Sequence, residues 1–311
     1  MDLQLYRLSF DIAHFGHPLL EDSDATFQVH RLYSALFLEA IALGLEEELL
    51  NLTQAGEILL SDAFFYHYGL YLPKPIGFPQ IDDNQTVSDP TLLRTQGKIS
   101  KKISHILEYE FDSFVNGEVV DTDTLRSFAS EVNDFYENVT HTRVQVDEDP
   151  YRVGAVYYQD QVELAVIGSN HPLLITLFKS LQYSGLGGKR SSGLGQFRLT
   201  LSELDDDTRE RITTQHDGPV MLLNSSLPVD EELESSLVGA HYIIDKSSGF
   251  AYTNYFSQAI RKHDLYKFKA GSTFSQTFHG QLIDTAPNDF PHPIWNYAIP
   301  LFYKMEVDAN E

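Results

Sequence analysis

Residues 3–12 alternate between apolar and polar positions, with Leu3, Leu5, Leu8, Phe10 and Ile12 at near-period two, and this predicts a first strand. After the turn-rich segment HFGHPLLEDSDAT the period lengthens. Val29, Leu32, Tyr33, Leu36, Ala40 and Leu43 follow helical spacing, and Gly44 ends the helix. FFYHYGLYL (64–72) predicts a strand that stops at Pro73. Residues 73–100, rich in Pro, Gly, Asp and Thr, read as a mobile insertion, 101–115 as a strand or short helix, and 121–138 as a helix. HTRVQVD (141–147) and RVGAVYYQ (152–159) alternate on either side of a short turn, which is a β-hairpin signal. QVELAVIG (161–168) extends that hairpin or forms another strand. A helix at 171–183, a glycine-rich loop at 184–197 and a strand at 196–202 follow.

This order, β–α–(insertion)–β–β–α–loop–β, predicts an α+β unit of ferredoxin-like, RNA-recognition-like topology over residues 1–203, with its insertion at about 73–140. The acidic segment 203–218 (ELDDDTRERITTQHDG) reads as a linker covering 204–218. Residues 219–311 repeat the scheme more weakly. PVMLLNSSLP is a strand and turn, and DEELESSL a short helix. AHYIID and FAYTNYF form a hairpin around Lys246–Gly249, and LYKFKAGSTF and PIWNYAIPLFYKMEV are further strands. The expectation is a tandem of ferredoxin-like domains.

Composition narrows the chemistry. A chain of 311 residues with 42% hydrophobic content sustains two domains with a normal core. Cysteine is absent, which excludes disulfides and thiolate metal sites and fits a reducing cytoplasm. The N-terminal MDLQLYRLSFD is neither a signal peptide nor a membrane span, and no apolar run approaches the roughly 18 residues of a transmembrane helix, so no membrane partner is expected. The net charge of −23 argues at first against nucleic acid, but its distribution argues for it. Three islands, 90–107, 164–202 and 246–283, hold 13 of the 22 basic residues and one of the 45 acids, so one face can bind a polyanion while the rest repels it.

The longest acid-free island, 164–202, holds SGLGGKRSSGLGQF (184–197). Glycines admit positive φ and close approach to the backbone, successive N–H groups form an anion-binding concavity, and Lys189, Arg190, Ser191 and Ser192 add donors suited to phosphate. The P-loop pattern fails because Arg190 follows Gly188-Lys189 and Tyr183 stands at the first glycine position. The dinucleotide fingerprint fails because Arg190 stands at its third glycine, and because the loop follows a helix and opens a strand. A chain of phosphates therefore fits better than a nucleotide; a plain surface loop with a glycine cap is the bland alternative.

Other candidates are weaker. His14 and His17 in HFGHP lack a third ligand cluster, so no metal site is expected; His14 and Phe15 instead offer flat faces for unstacked bases. Arg31 and Tyr33, in the first helical turn, are candidate RNA contacts. His30 is the candidate base of a metal-independent ribonuclease, a role that requires hydrogen-bond reach of a 2′-hydroxyl. Lys98, Lys101 and Lys102 form a second basic group. Lys246, Arg261, Lys262, Lys267 and Lys269, interleaved with Phe250, Tyr252, Tyr255 and Phe256, form a third, where alternation suits an ordinary strand core equally well. Asp82–Asp83 and Asp205–Asp207 read as solvated charge. No cofactor is implied.

The N-terminal strand with HFG, the helix HRLYSALFLEA, LPKP (72–75), the HTRVQVD hairpin, the GLGGKRSSGLGQF loop and the later KAGSTF together resemble the RAMP superfamily of CRISPR–Cas proteins. Within it they resemble the fourth subunit of type III-A (Csm) effector complexes, in order and over nearly the whole chain. The resemblance implies two ferredoxin-like domains with a β-hairpin thumb that kinks the guide RNA; the 141–159 hairpin and the 73–115 insertion are both candidates for that thumb. It implies a non-catalytic, cytoplasmic RNA-binding subunit of an antiviral ribonucleoprotein. Such a subunit binds the 5′ handle of the CRISPR RNA, caps the backbone RAMP filament and docks the large polymerase-containing subunit. Gly185, Gly187, Gly188, Lys189, Arg190, Ser191, Ser192, Gly193 and Gly195 inherit the RNA-cradling role by their place in the motif, with Lys246 and Lys269 as further contacts. Two departures weaken contacts elsewhere: VDEDP and DKSSGF stand where basic residues are common. The rival readings are a repeat-cleaving endoribonuclease using His30 and a scaffold that touches only protein.

Overall fold

The computed structural model describes residues 2–16, 19–79, 90–119, 121–144, 149–213, 218–251 and 260–307. Strand β1 (Leu3–Phe10) is buried on both faces. Leu3 and Leu5 enter one core, and Tyr6, Leu8 and Phe10 enter the other. Short strands β2 (Ile12–Ala13) and β3 (Phe15–Gly16) continue its path, and β3 pairs with β4 (Ser23–Asp24). Helix α1 (Val29–Leu43) buries Val29, Leu32, Tyr33, Leu36 and Ala40 along one stripe and ends on Gly44 in the left-handed region at φ 70°. Helix α2 (Glu46–Gln54) follows, its first-turn glutamates complementing the helix dipole.

The expected strand 64–72 is a hairpin, β5 (Phe64–Tyr66) and β6 (Leu70–Pro73), because the chain reverses at Tyr68, whose φ is 60°. Pro73 closes β6 as its last residue, opposite His105. The insertion is not a loose excursion. Residues 80–89, with Asp82–Asp83, lie outside the described residues. Helix α3 (Pro90–Ser100), strand β7 (His105–Leu107) and helices α4 (Phe111–Val115) and α5 (Thr122–Glu131) follow. They are packed, because Ile103, Ile106, Phe111, Phe114, Leu125 and Phe128 are buried in the core of Leu3 and Leu5.

The helix expected over 121–138 ends early. Its last residues belong to β8 (Tyr136–Arg143), which pairs along its whole length with β9 (Tyr151–Tyr158). Strand β10 (Glu163–Ser169) leaves this hairpin and enters the main sheet between β1 and β5. Its apolar run is explained by burial on both faces: Leu164 and Val166 on one, Ala165 and Ile167 on the other. Helix α6 (Pro172–Ser184) is capped by His171, whose Nδ1 accepts the Leu173 N–H at 3.2 Å, and it stacks Phe178 on Tyr6 at 4.2 Å between ring centroids. It leads through the glycine loop into β11 (Phe197–Glu203). The sheet runs β11-β1-β10-β5-β6-β7 with every neighbour antiparallel, and α1 and α6 pack against each other on one face.

The segment expected to be a linker is partly helix α7 (Asp206–Thr213) and is fixed in place. The buried Arg211 guanidinium spans both oxygens of Asp112 at 2.8 and 2.6 Å. Strand β12 (Val220–Leu222) and helix α8 (Leu233–Ser236) follow, then β13 (Ile244–Ser247), β14 (Phe250–Ala251), β15 (Ile260–Arg261), β16 (Leu265–Phe268), β17 (Thr273–Phe274), β18 (Leu282–Asp284), β19 (Trp295–Tyr297) and β20 (Phe302–Lys304). A three-stranded sheet β17-β12-β20 sends Met221, Leu223, Leu301, Tyr303 and Met305 into the core of Leu3 and Leu5. The two halves of the chain therefore share a core. Among the described residues the hairpin expected around Lys246–Gly249 is absent. β13 pairs with β16 and β14 with β15, because the chain continues outward past Gly249, whose carbonyl accepts from Lys262 N–H of the returning strand. The ribbon so formed leads to residues 252–259, outside the described residues.

A buried polar cluster joins the halves. Asp62 Oδ1 accepts from the Val29 N–H at the start of α1 (2.7 Å), and from the backbone N–H (3.2 Å) and hydroxyl (3.4 Å) of Ser225. Beside it Lys267, only 2% exposed, donates to Asn296 Oδ1 at 3.0 Å and the Tyr297 carbonyl at 3.1 Å, and lies 3.3 Å from His30 Nδ1. Burial raises the Asp62 carboxyl to about 6 and pushes the Lys267 amine down to about 8. In the folded state Asp62 holds its proton more tightly than in the unfolded chain, so its contribution to stability falls as pH rises from 3.8 to about 6. Lys267 loses its proton more readily when folded, so its contribution rises from about pH 8 to 10.5. Urea unfolding at a series of pH values should show both limbs. Asp62→Asn should flatten the acid limb, and Asp62→Ala, which strands three donors, should cost about 3 kcal/mol.

Candidate nucleic-acid interface

The glycine loop is folded by its own backbone against the strand path of residues 12–15. Leu186 N–H donates to Gly195 O at 2.8 Å, Gly195 N–H to Ile12 O at 2.9 Å, and Gly188 N–H to His14 O at 2.8 Å. Gly195 has φ 80°, and a Cβ there would overlap the Leu186 carbonyl oxygen. Gly187 has φ 100°, and its Cβ would meet His14 O at 2.5 Å. These glycines are required by chain crossing alone. Gly185 and Gly195 are buried, Gly187 is exposed, and Gly188 is half-buried.

What the crossing leaves free is the apex. Lys189 sits at φ 57°, a 3₁₀ turn spans Arg190–Ser192, and Gly193 closes it at φ 84°. Arg190, Ser191, Ser192 and Gly193 are exposed. Arg190 donates one guanidinium N–H to Gly185 O at 3.3 Å, which aims the remaining donors outward. Lys189 Nζ lies 4.8 Å from the ring centroid of Tyr151, the residue at the turn end of the β8–β9 hairpin. The apex and the hairpin end thus form one surface, a junction the sequence did not signal. Part of VDEDP, at 146–148, lies outside the described residues.

His14 and Phe15 are not base-stacking faces. His14 is 5% exposed; its Nδ1–H donates to Gly154 O at 2.8 Å, tying hairpin to loop, and its ring packs on Gly188. Phe15 is buried edge-on against Phe10 and Phe27, because β3 turns it into the core. Tyr33 is fully buried too and bonds Thr53 Oγ1 at 3.2 Å, since it lies on the apolar stripe of α1. Arg31 stays half-exposed, paired with Asp24 at 3.2 Å. His17 lies outside the described residues. Among the described residues no cluster of three or more His, Asp or Glu is arranged to hold a metal ion. No described helix is long and apolar enough to cross a membrane.

His30 is not poised as a general base. It is buried, and burial together with Lys267, Arg31 and Lys262 holds its pKa well below the ordinary histidine value. As a neutral ring it serves Lys267 as an acceptor through Nδ1, so that nitrogen is engaged inside the protein.

The basic islands separate in space. Arg94, Lys98, Lys101 and Lys102 are exposed on and just after α3, which leads into β7, the sheet edge opposite the β11 edge that carries the glycine loop. In the third island Lys267 is buried, Lys262 is half-buried, and Lys246 and Arg261 both reach Asp264, at 2.8 and 3.0 Å. That island is therefore largely neutralised or enclosed, and Lys246 is a paired cation. Lys269 is exposed at the KAGSTF turn. This turn packs on LPKP: Ile76 N–H donates to Gly271 O at 2.8 Å, and Thr273 Oγ1 donates to Ile76 O at 2.8 Å. Tyr252, Tyr255 and Phe256 lie outside the described residues.

Comparison with known proteins adds the family. The model of the CRISPR Csm4 C-terminal domain matches residues 215–305. The CRISPR system Cms protein Csm4 of Streptococcus thermophilus is 41% identical over 307 residues, covering 99% of this chain and 100% of the relative. Its counterpart in Mycobacterium tuberculosis (strain CDC 1551 / Oshkosh) is 34% identical over 322 residues, covering 99% and 100%. Among solved structures, a chain of the Csm3–Csm4 subcomplex in the type III-A CRISPR–Cas interference complex matches with a TM-score of 0.65 at 15% identity, covering 97% of this chain and 99% of that one. A chain of the Csm1–Csm4 cassette in complex with AMPPNP matches with a TM-score of 0.57 at 14% identity, with 100% of both chains covered. At such identities the likeness is one of α+β fold.

The loop geometry separates structural from apex glycines. Gly195→Ala should lower stability by about 3 kcal/mol, combining an overlap with a positive φ, whereas Gly193→Ala, with open space around its Cβ, should cost about 1 kcal/mol. Thermal unfolding of the two variants measures the difference.

Proposed function

The chain belongs to the Csm4 family of type III-A CRISPR–Cas proteins, and from that membership we propose that it is the subunit that grips the 5′ handle of the CRISPR RNA. The observation that carries the reading is the apex of the glycine loop. Arg190, Ser191, Ser192 and Gly193 are exposed on a turn clasped rigidly by residues 12–15, with Lys189 turned to the end of the β8–β9 hairpin. Such a turn offers backbone N–H groups, hydroxyls and two cations to successive phosphates, while unpaired bases are read by stacking and edge contacts. We take the β8–β9 hairpin as the thumb, since it stands at the apex and the described part of 73–115 contributes helices and sheet strands.

In the same reading the protein caps the backbone RAMP filament and docks the large polymerase-containing subunit, in the cytoplasm and without catalysis of its own. The solved relatives support those partners by the company they keep: Csm3 in one crystal structure and Csm1 in another. The strand order β11-β1-β10-β5, with α1 and α6 as its two helices, supports a ferredoxin-like first domain over residues 1–203. Residues 219–311 form the second, β-rich domain, and 204–218 the connection between them. The burial of His30 speaks against the endoribonuclease alternative.

Lys189→Ala with Arg190→Ala should weaken binding to handle RNA and flatten the slope of log K against log salt by about 1.4, for two single-strand phosphate contacts. A titration over several salt concentrations that returns the unaltered slope would remove the apex from the interface. Repeat RNA incubated with the protein in EDTA should stay intact; cleavage that vanishes in His30→Ala would replace binding by catalysis.

A further inference from the structure

The β13–β16 ribbon carries an inverted pattern. Its register places Lys246 opposite Tyr266 and Asp245 opposite Lys267. Cross-strand partners share a face, and alternate residues along a strand occupy opposite faces. The polar set, Asp245, Ser247 and Lys267, faces the protein: Ser247 Oγ accepts from Asn296 Nδ2 at 2.9 Å, Lys267 is buried on Asn296 and Tyr297, and Asp245 bonds Gln28. On the other face Phe268 is buried against Phe274 and Phe278, but the neighbouring large side chains face out. Ile244 is 55% exposed and Tyr266 55%. Phe250, opposite Arg261 in the next rung, is 61% exposed. Lys246 and Arg261 converge on Asp264, which puts the Phe250–Arg261 pair on the Tyr266 side. Lys246 Nζ lies 5.7 Å from the Tyr266 ring centroid.

We propose that this outward face, Tyr266 and Phe250 between Lys246 and Arg261, is a stacking platform for unpaired bases of a single-stranded RNA. The proposal extends the RNA-binding reading to a site away from the glycine loop. Three observations carry it. A strand that buries lysine and exposes tyrosine does not follow hydrophobic burial, so the exposed rings call for a ligand. The face is held rigid from behind by the bonds of Ser247 and Lys267, so rings can be presented without an ordering cost. The rings alternate with two cations that share one carboxylate, which leaves a single net positive charge on this face of a chain of charge −23, and flat rings between cations match bases between phosphates. The ribbon also adjoins α1: burial lowers the Lys262 amine, and the nearby Arg31 charge lowers it further.

The test uses the full chain and a labelled oligouridylate of roughly 12 nucleotides carrying 4-thiouridine. Tyr266→Ala with Phe250→Ala should weaken binding about 10-fold or more and leave the salt slope unchanged, because rings release no counterions. Tyr266→Trp should retain binding, and wild-type crosslinks should fall within 244–268. Wild-type affinity in the double variant together with no crosslink in that segment overturns the platform. If Lys189→Ala with Arg190→Ala still weakens binding, the loop assignment survives that failure; if neither variant does, both fall. Unchanged RNA affinity with loss of the neighbouring subunits from the purified complex makes the face a protein-docking surface and also overturns the proposal.

Discussion

Asp62 is the residue on which the two halves of this chain agree. A carboxylate out of water must be compensated, and every compensation here comes from a different part of the sequence: the first N–H of α1, the backbone and hydroxyl of Ser225, and the field of Lys267. Helix α1 has no side-chain cap of its own at Gln28, so its start is set by a residue 33 positions later. Lys267 in turn draws in His30, Asn296 and the Tyr297 carbonyl. The position of the ribbon relative to the main sheet is thereby fixed by buried hydrogen bonds, which demand geometry, on top of apolar contact, which demands only area. The same arrangement removes His30 from any surface chemistry.

The glycine loop obeys a different constraint. Its backbone must pass over residues 12–15 at hydrogen-bond distance, and a side chain at Gly187 or Gly195 would occupy the space of a carbonyl oxygen. Glycine density in this segment is therefore first a requirement of packing. Its consequence for binding is indirect: a clasp closed from below leaves a short exposed turn that carries Arg190, Ser191 and Ser192. Lys189 contributes by leaning on Tyr151, so the hairpin and the loop meet at one place.

The first half of the fold was legible because its pattern and its packing agree. β1, α1, β10 and α6 have apolar periods that match the faces they bury, but the expected order drew both middle strands from after the insertion, whereas β8 and β9 form a separate sheet with β2 and the main sheet takes β5 from before it. Boundaries failed where local chemistry competes with a partner distant in sequence. Residues 136–138 continue a helical pattern but are taken by β9, and 206–213 look like a solvated linker but are anchored through Arg211 to Asp112. The candidate site was legible in its glycine loop and not in its flanks. Phe15 and Tyr33 were assigned to a surface by residue type, yet both lie on the apolar side of their elements. In LYKFK a period-two reading puts Tyr266 inside and Lys267 outside. The fold reverses this, because acceptors from α1 and β19 wait on the inner face, and no local pattern can announce them.

Charge segregation in sequence thus survives folding only in part. Of the third island, one lysine is buried, two cations share Asp264, and Lys269 lies at a turn packed on LPKP. The cations of α3 precede β7, at the sheet edge opposite the one that carries the glycine loop. For a polyanion approaching a chain of −23, the attractive ground is consequently local and divided: the loop apex, the exposed cations on and just after α3, and the outer face of the ribbon. Divided attractive ground on a repulsive body favours a ligand that is thin, unpaired and able to turn between separate contacts. A duplex, with its higher charge density and stiffness, would meet the acids at Glu21, Asp22 and Asp24 that rim the groove beside the β8–β9 hairpin. On the proposed RNA-binding reading, the distribution of charge after folding would favour a single strand by exclusion as much as by attraction.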